Sequence, residues 1–185
     1  MSPNFIPTEL LLSDSLWMSS EDLTEHLIEP SVKAVLQFNG LLTSALGEAY
    51  AMPVSVTCLR QLEWAEWAEW AGEQGTLGLR RDVLLKAGDV PVVAASTLMP
   101  SSVLAVYPWL ANLGDKPLGE ALKSHGHFWR EPFEFMRIDA GLIFQPPPPA
   151  TTYLWARRFR FTFDSGALLV TEIFFPGVLD RLSLK

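Results

Sequence analysis

The stretch that decides the fold is Arg158-Phe159-Arg160-Phe161-Thr162-Phe163-Asp164-Ser165-Gly166, followed by Ala167-Leu168-Leu169-Val170-Thr171-Glu172-Ile173-Phe174-Phe175. Phe159, Phe161 and Phe163 alternate with Arg158, Arg160 and Thr162. Successive side chains on a strand point to opposite faces, so this period of two places aromatic rings on one face and polar groups on the other. Asp164-Ser165-Gly166 supplies a turn, and the whole reads as a hairpin with strands over 153–163 and 167–175. Four more strands are predicted over 54–63, 79–87, 90–98 and 129–138, the second and third of them joined by Gly88-Asp89. The N-terminal third is helical in character. Ser19 or Ser20 caps a helix opening at Glu21-Asp22-Leu23 that Pro30 interrupts, and apolar residues at helical spacing run from Leu41 to Tyr50 before Pro53. Pro117 opens a further short helix through Leu122. Hairpins with helices gathered at one end predict an α+β domain with a largely antiparallel sheet of six strands.

Of the 185 residues, 49% are apolar and 19% charged, which excludes disorder and is ample for one core. Lys and Arg total 14 against 21 Asp and Glu, a formal charge of −7 that argues against a nucleic-acid partner. Cys58 is the single cysteine, so no internal disulfide forms, as suits a reducing compartment. No Lys or Arg precedes Lys33, so the basic start of a signal peptide is missing. The uncharged stretch 90–114 carries Pro91, Pro100 and Pro108, which break a spanning helix and favour a buried strand, a turn and a short helix. A cytoplasmic monomer without a membrane span is expected.

Common catalytic signatures are missing. There is no G-x-S-x-G, no phosphate-binding G-x-x-x-x-G-K-[ST] and no G-x-G-x-x-G. His125-Gly126-His127 is the one close histidine pair, without a Cys or acid at a zinc spacing, and reads as a solvated turn. Trp64, Trp67 and Trp70 recur at a period of three within 63–71, either a partner surface or a packed segment, and Pro146 to Pro149 form a stiff connector. The informative residues are charges inside apolar strands: Arg81 in Leu79-Arg80-Arg81-Asp82-Val83-Leu84-Leu85, and Glu172 between Val170 and Phe174. A lone buried carboxylate needs a partner or a ligand. A structural Arg–Glu pair would satisfy it, and so would a closed pocket where arginine grips an anion and Glu172 meets a hydroxyl or leaving group.

Seven segments then occur in the order of a known family. They are Val54-Ser55-Val56-Thr57-Cys58-Leu59-Arg60, the Arg81 strand, Thr97-Leu98-Met99-Pro100, Leu113-Gly114-Asp115-Lys116-Pro117-Leu118-Gly119, Phe133-Glu134-Phe135-Met136-Arg137, Trp155-Ala156-Arg157-Arg158 and Leu168 through Pro176. Residues 54–176 thereby resemble chorismate–pyruvate lyase, which makes 4-hydroxybenzoate for quinone biosynthesis. The resemblance implies one domain over 1–185, with a helical part at 1–52, a six-stranded antiparallel sheet with flap helices at 53–176 and a tail at 177–185. It implies an internal site in which Arg81 binds a carboxylate and Glu172 is essential. The backbone of Leu118 helps hold that carboxylate, and Leu42 contacts the ligand. A backbone contact usually given by glycine falls on Ala95, which keeps the N–H and adds a methyl near the ligand, and Ser96 follows where some relatives have arginine. Chorismate is the implied substrate, 4-hydroxybenzoate and pyruvate the products, and no cofactor or metal is needed because elimination aromatises the ring. The same fold also resembles small-molecule effector domains of transcription regulators, which bind without catalysing.

Overall fold

The structure, a computed structural model, describes residues 6–7, 10–11, 13–25, 28–64, 78–125, 128–145, 147 and 151–183. Among these, seven strands form one antiparallel sheet: β1 (Val54–Trp64), β2 (Gly78–Ala87), β3 (Val90–Pro100), β4 (Trp129–Arg130), β5 (Glu134–Asp139), β6 (Tyr153–Phe163) and β7 (Gly166–Phe174). They lie in the order β1-β2-β3-β7-β6, with β4 and β5 both paired to the far edge of β6. β4 and β5 are the two parts of the strand predicted over 129–138. Glu131 N–H still donates to the Arg160 carbonyl at 2.9 Å, but Pro132 has no N–H to continue the ladder, and pairing resumes at Glu134. The predicted hairpins join β2 to β3 and β6 to β7, with bounds within two residues of those expected.

The helices are α1 (Asp22–Glu25), α2 (Pro30–Leu36), α3 (Leu42–Tyr50), α4 (Ser101–Val106), α5 (Leu118–His125), α6 (Ala140–Ile143) and α7 (Val178–Ser183). Ser19 caps α1: its Oγ accepts from Glu21 and Asp22 N–H, both at 3.2 Å, while Asp22 Oδ2 accepts from Ser19 N–H at 3.0 Å. Pro30 does not merely interrupt helix; it opens α2, where its fixed φ suits a first turn that needs no N–H. α3 packs on β1 and β2, and α7 packs against α2 and α3. No helix among the described residues is long and apolar enough to cross a membrane.

The two faces of the sheet have different contents. One carries Phe159 and Phe161, which meet edge to face at 5.1 Å, with Phe133 and Phe128 packed onto them. Burying each such ring contributes about 1.5–3 kcal/mol. The opposite face, predicted to be polar, is not given over to water: Arg158 is 1% exposed. Its guanidinium reaches Glu134 at 2.7 Å and the Leu11 carbonyl at 3.0 Å, and lies over the Trp17 ring. Arg80 likewise holds the Ile6 carbonyl and Asp82. The N-terminal segment thus covers that face, and the arginines are buried because main-chain carbonyls and acids receive them.

Candidate active site

A cavity of about 530 Å³ opens between the aromatic face of the sheet and the segments Asn39–Thr43, Pro117–Gly119 and Phe128–Arg130. Its size is that of a small-ligand pocket. Register explains which side chains floor it. Arg81 pairs with Thr97, and Thr97 with Val170; two residues along, Val83 pairs with Ala95, and Ala95 with Glu172, which pairs with Arg157. All of these share one face by the period of two and line the cavity. Arg81 and Glu172 stand two strand spacings apart, with β3 between them, and one row along, roughly 12 Å between their Cα atoms by strand spacing and rise.

Arg81 is fixed by the loop before α5. Its Nη2 donates to the Gly114 carbonyl at 2.7 Å and the Lys116 carbonyl at 2.9 Å. Gly114 adopts φ +51, a left-handed conformation that glycine takes at little cost and that turns its carbonyl toward Arg81. Asp115 anchors the same loop to the sheet edge, accepting from Cys58 N–H at 2.6 Å beside an irregularity in β1. Burial draws the Arg81 pKa below the usual arginine value, opposed by Cys58 and Asp115; the group remains a cation. At the start of α5 the Pro117 carbonyl accepts from Ala121, leaving the N–H groups of Leu118 and its two successors without intrahelical acceptors. Arg81 and this helix start together place a cation and several main-chain donors at one end of the cavity.

At the other end, Glu172 is held by Arg157, Nε to Oε2 at 2.6 Å. Glu172 therefore has an arginine partner, and the partner is Arg157 rather than Arg81. Arg157 Nη1 also donates to the Leu36 and Phe38 carbonyls at 3.1 and 2.9 Å, at the end of α2. The same ion pair thus ties the carboxylate to the chain that leads into the Asn39–Leu42 cover. Arg130 completes this end, donating to the Asn39 carbonyl and lying over the Phe133 and Phe159 rings at 5.1 and 5.6 Å. Burial and then the neighbouring Arg157 charge lower its pKa, with Glu172 opposing.

The five residues singled out in the sequence, Leu42, Arg81, Ala95, Leu118 and Glu172, all line this cavity. Ala95 does so on β3, in register with Val83 on one side and Glu172 on the other, with its side chain on the cavity face. Arg157 and Arg130 are additions from the structure. Arg157 has the same parity as Phe159, Phe161 and Phe163, so a charge on the aromatic face was its signal. Arg130 lies in a two-residue strand, where no periodicity exists to read. Of the histidine pair, His125 closes α5 and stacks on Trp109 at 4.1 Å; residues 126–127 lie outside the described residues, as do 65–71 of the Trp repeat and most of the proline run. No three His, Cys, Asp or Glu side chains among the described residues are grouped to hold a metal ion.

The sequence model of the chorismate lyase family matches residues 11–184. The chain belongs to that family. It is 39% identical over 110 residues to the probable chorismate pyruvate-lyase of Ralstonia nicotianae, covering 54% of this chain and 56% of the relative. The corresponding protein of Cupriavidus metallidurans is 35% identical over 138 residues, with 66% and 64% covered. That of Pseudomonas aeruginosa is 30% identical over 177 residues, with 93% and 97% covered. The matched part of the chain thus spans between half and two thirds of the first two relatives and nearly all of the third. Among solved structures, the effector domain of PhnF from Mycobacterium smegmatis superposes with a TM-score of 0.53 at 17% identity, covering 76% of this chain and 92% of that one. That likeness is one of fold.

Proposed function

We propose that the chain eliminates pyruvate from chorismate to give 4-hydroxybenzoate, for use in quinone biosynthesis, at the cavity between Arg81 and Glu172. The observation that carries this reading is the arrangement of opposite tasks at the two ends of one apolar pocket. A cationic receptor, Arg81 with the N–H groups at the start of α5, faces a carboxylate, Glu172, that presents an acceptor. A ring with a carboxylate at one end and a hydroxyl across from it matches both. Arg81 and the Leu118 N–H bind the ring carboxylate, a pair of charge-assisted bonds contributing roughly 2–4 kcal/mol. Glu172, oriented by Arg157, accepts from the ring hydroxyl. Leu42 closes the cavity over the ring, and the Ala95 methyl packs against it near Glu172.

In the reaction the ring loses the proton on its hydroxyl-bearing carbon, and the adjacent carbon–oxygen bond of the ether breaks. The electrons of the broken carbon–hydrogen bond complete the aromatic ring, and the three-carbon unit takes up the proton and leaves as pyruvate. Aromatisation drives the step, and the balance needs no external oxidant, reductant or cofactor. The protein's part is to fix the ring and ether in one reactive geometry, exclude water and stabilise charge on the departing oxygen.

The test is to incubate purified protein with chorismate and follow 4-hydroxybenzoate and pyruvate by chromatography, beside Arg81→Ala and Glu172→Gln checked for folding by circular dichroism. Equimolar products from the wild type, lost in both folded variants, are expected. Chorismate that survives while 4-hydroxybenzoate raises the melting temperature would instead make the chain a binder of aromatic acids.

A further inference from the structure

The ring carboxylate and ring hydroxyl occupy Arg81 and Glu172, yet two more arginines face the same cavity. Arg157 is committed: Nε holds Glu172 and Nη1 holds two main-chain carbonyls. Arg130 is not. Its one hydrogen bond among the described residues runs from Nη2 to the Asn39 carbonyl, and a guanidinium has five donors. Half-buried, it stacks on Phe133 and on Phe159, a floor residue of the cavity, at the Glu172 end. No acid among the described residues is paired with it. A cation placed beside the Arg157 charge and given no anion of its own has room for one from a ligand.

The substrate proposed above supplies one. Its second carboxylate sits on the enolpyruvyl group, attached to the ring carbon next to the hydroxyl-bearing one. With the hydroxyl at Glu172, that carboxylate falls at the Glu172 end and far from Arg81. Lys123 also lines the cavity, but it is exposed at the rim and borders an outer groove as well. Arg130 sits in the wall.

We propose that Arg130 is the receptor for the enolpyruvyl carboxylate and so distinguishes the dianionic substrate from the monoanionic aromatic product. Loss of this contact when pyruvate departs leaves 4-hydroxybenzoate with its ring contacts to Arg81, the Leu118 N–H and Glu172. The inference rests on the lyase reading, and its test separates the two. Arg130→Gln keeps a donor for the Asn39 carbonyl and removes the charge; Arg130→Lys keeps the charge. Steady-state kinetics with chorismate and calorimetric titration with 4-hydroxybenzoate are run on both variants and the wild type. Arg130→Gln is expected to raise KM for chorismate about ten- to hundredfold, as for loss of a charge-assisted contact, with 4-hydroxybenzoate affinity changed less than about threefold. Arg130→Lys is expected to recover most of the loss. Parallel losses of chorismate and product affinity would mean that Arg130 acts only by holding the Asn39 segment, and unchanged KM in Arg130→Gln would mean that the second carboxylate lies elsewhere; either overturns the proposal. A wild-type chain without turnover removes the lyase reading itself, whatever the variants do.

Discussion

Arg157→Met is the most informative single perturbation, because Arg157 joins the carboxylate of the site to the chain that covers it. The side chain is 1% exposed and its partner Glu172 13%, so water does little to replace the lost contact. Three hydrogen bonds from a cationic donor disappear, one of them to a carboxylate, which is left in the cavity wall together with two carbonyls that lose this partner. Breaking a buried pair by removing one partner costs about 3–5 kcal/mol, and the three bonds counted separately give a similar sum. The guanidinium also lies over the Phe133 ring at 4.5 Å, a cation–π contact that methionine gives up while keeping much of the apolar stem. In urea, at a slope of about 2 kcal/mol per molar, the midpoint is expected to fall by about 1.5–2.5 M with the slope unchanged. Glu172→Gln keeps an acceptor for Arg157 and should cost less. The double variant Arg157→Met/Glu172→Leu removes both charges and should be more stable than the sum of the two single losses implies, with a coupling of about 1–3 kcal/mol when Glu172→Leu closes the cycle. Additivity to within about 0.5 kcal/mol, or a midpoint for Arg157→Met equal to wild type, would refute the claim that this ion pair holds the site together.

Other outcomes follow from the same geometry. Arg81→Lys keeps the charge but loses the forked hold on the Gly114 and Lys116 carbonyls, and 4-hydroxybenzoate affinity by calorimetry should drop about ten- to hundredfold; a change below about threefold would place the carboxylate elsewhere. Gly114→Ala adds a methyl that meets no atom within 4 Å, so its cost is conformational, about 1–2 kcal/mol in urea unfolding from φ +51, and no loss would mean the turn relaxes freely. Ser96→Ala removes a buried hydroxyl that has no hydrogen-bond partner among the described residues, and thermal unfolding should show a gain of about 1 kcal/mol; a clear loss would mean that the hydroxyl is in fact satisfied.

The strands were legible because a two-sided sheet writes its period into the residues: Phe159, Phe161 and Phe163 fixed a face before any coordinate, and the Gly88-Asp89 and Asp164-Ser165-Gly166 turns fixed which neighbours pair. Pro132 was present inside the predicted fourth strand, and its missing N–H is what divides it. Arg81 and Glu172 drew notice because a charge in an apolar strand has few resting places. What the period does not reveal is the partner across the sheet. Glu172 meets Arg157 through the β6–β7 register, which depends on turn length, and not through any local pattern. The burial of Arg158 is likewise invisible from its own strand, since it depends on carbonyls supplied by residues near the N-terminus.

The arginine pairs make a further physical point about how an acidic chain handles an anionic ligand. Arg80-Arg81 in β2 and Arg157-Arg158 in β6 are adjacent in sequence, so each pair is split across the sheet. On the covered back face, each arginine has an acid of its own: Asp82 for Arg80 and Glu134 for Arg158. On the cavity face, Arg81, Arg157 and Arg130 stand against Glu172 as the one acid lining the cavity among the described residues. The protein carries a net charge of −7, yet the wall of this one cavity has a surplus of positive charge. Back-face charges are balanced within the fold and serve to fasten the N-terminal segment. Among the described residues the cavity-face surplus is offset only in part, by Glu172 and by Asp115 near Arg81, and desolvated cations without anions oppose folding. An anionic ligand of the kind proposed above would relieve that imbalance.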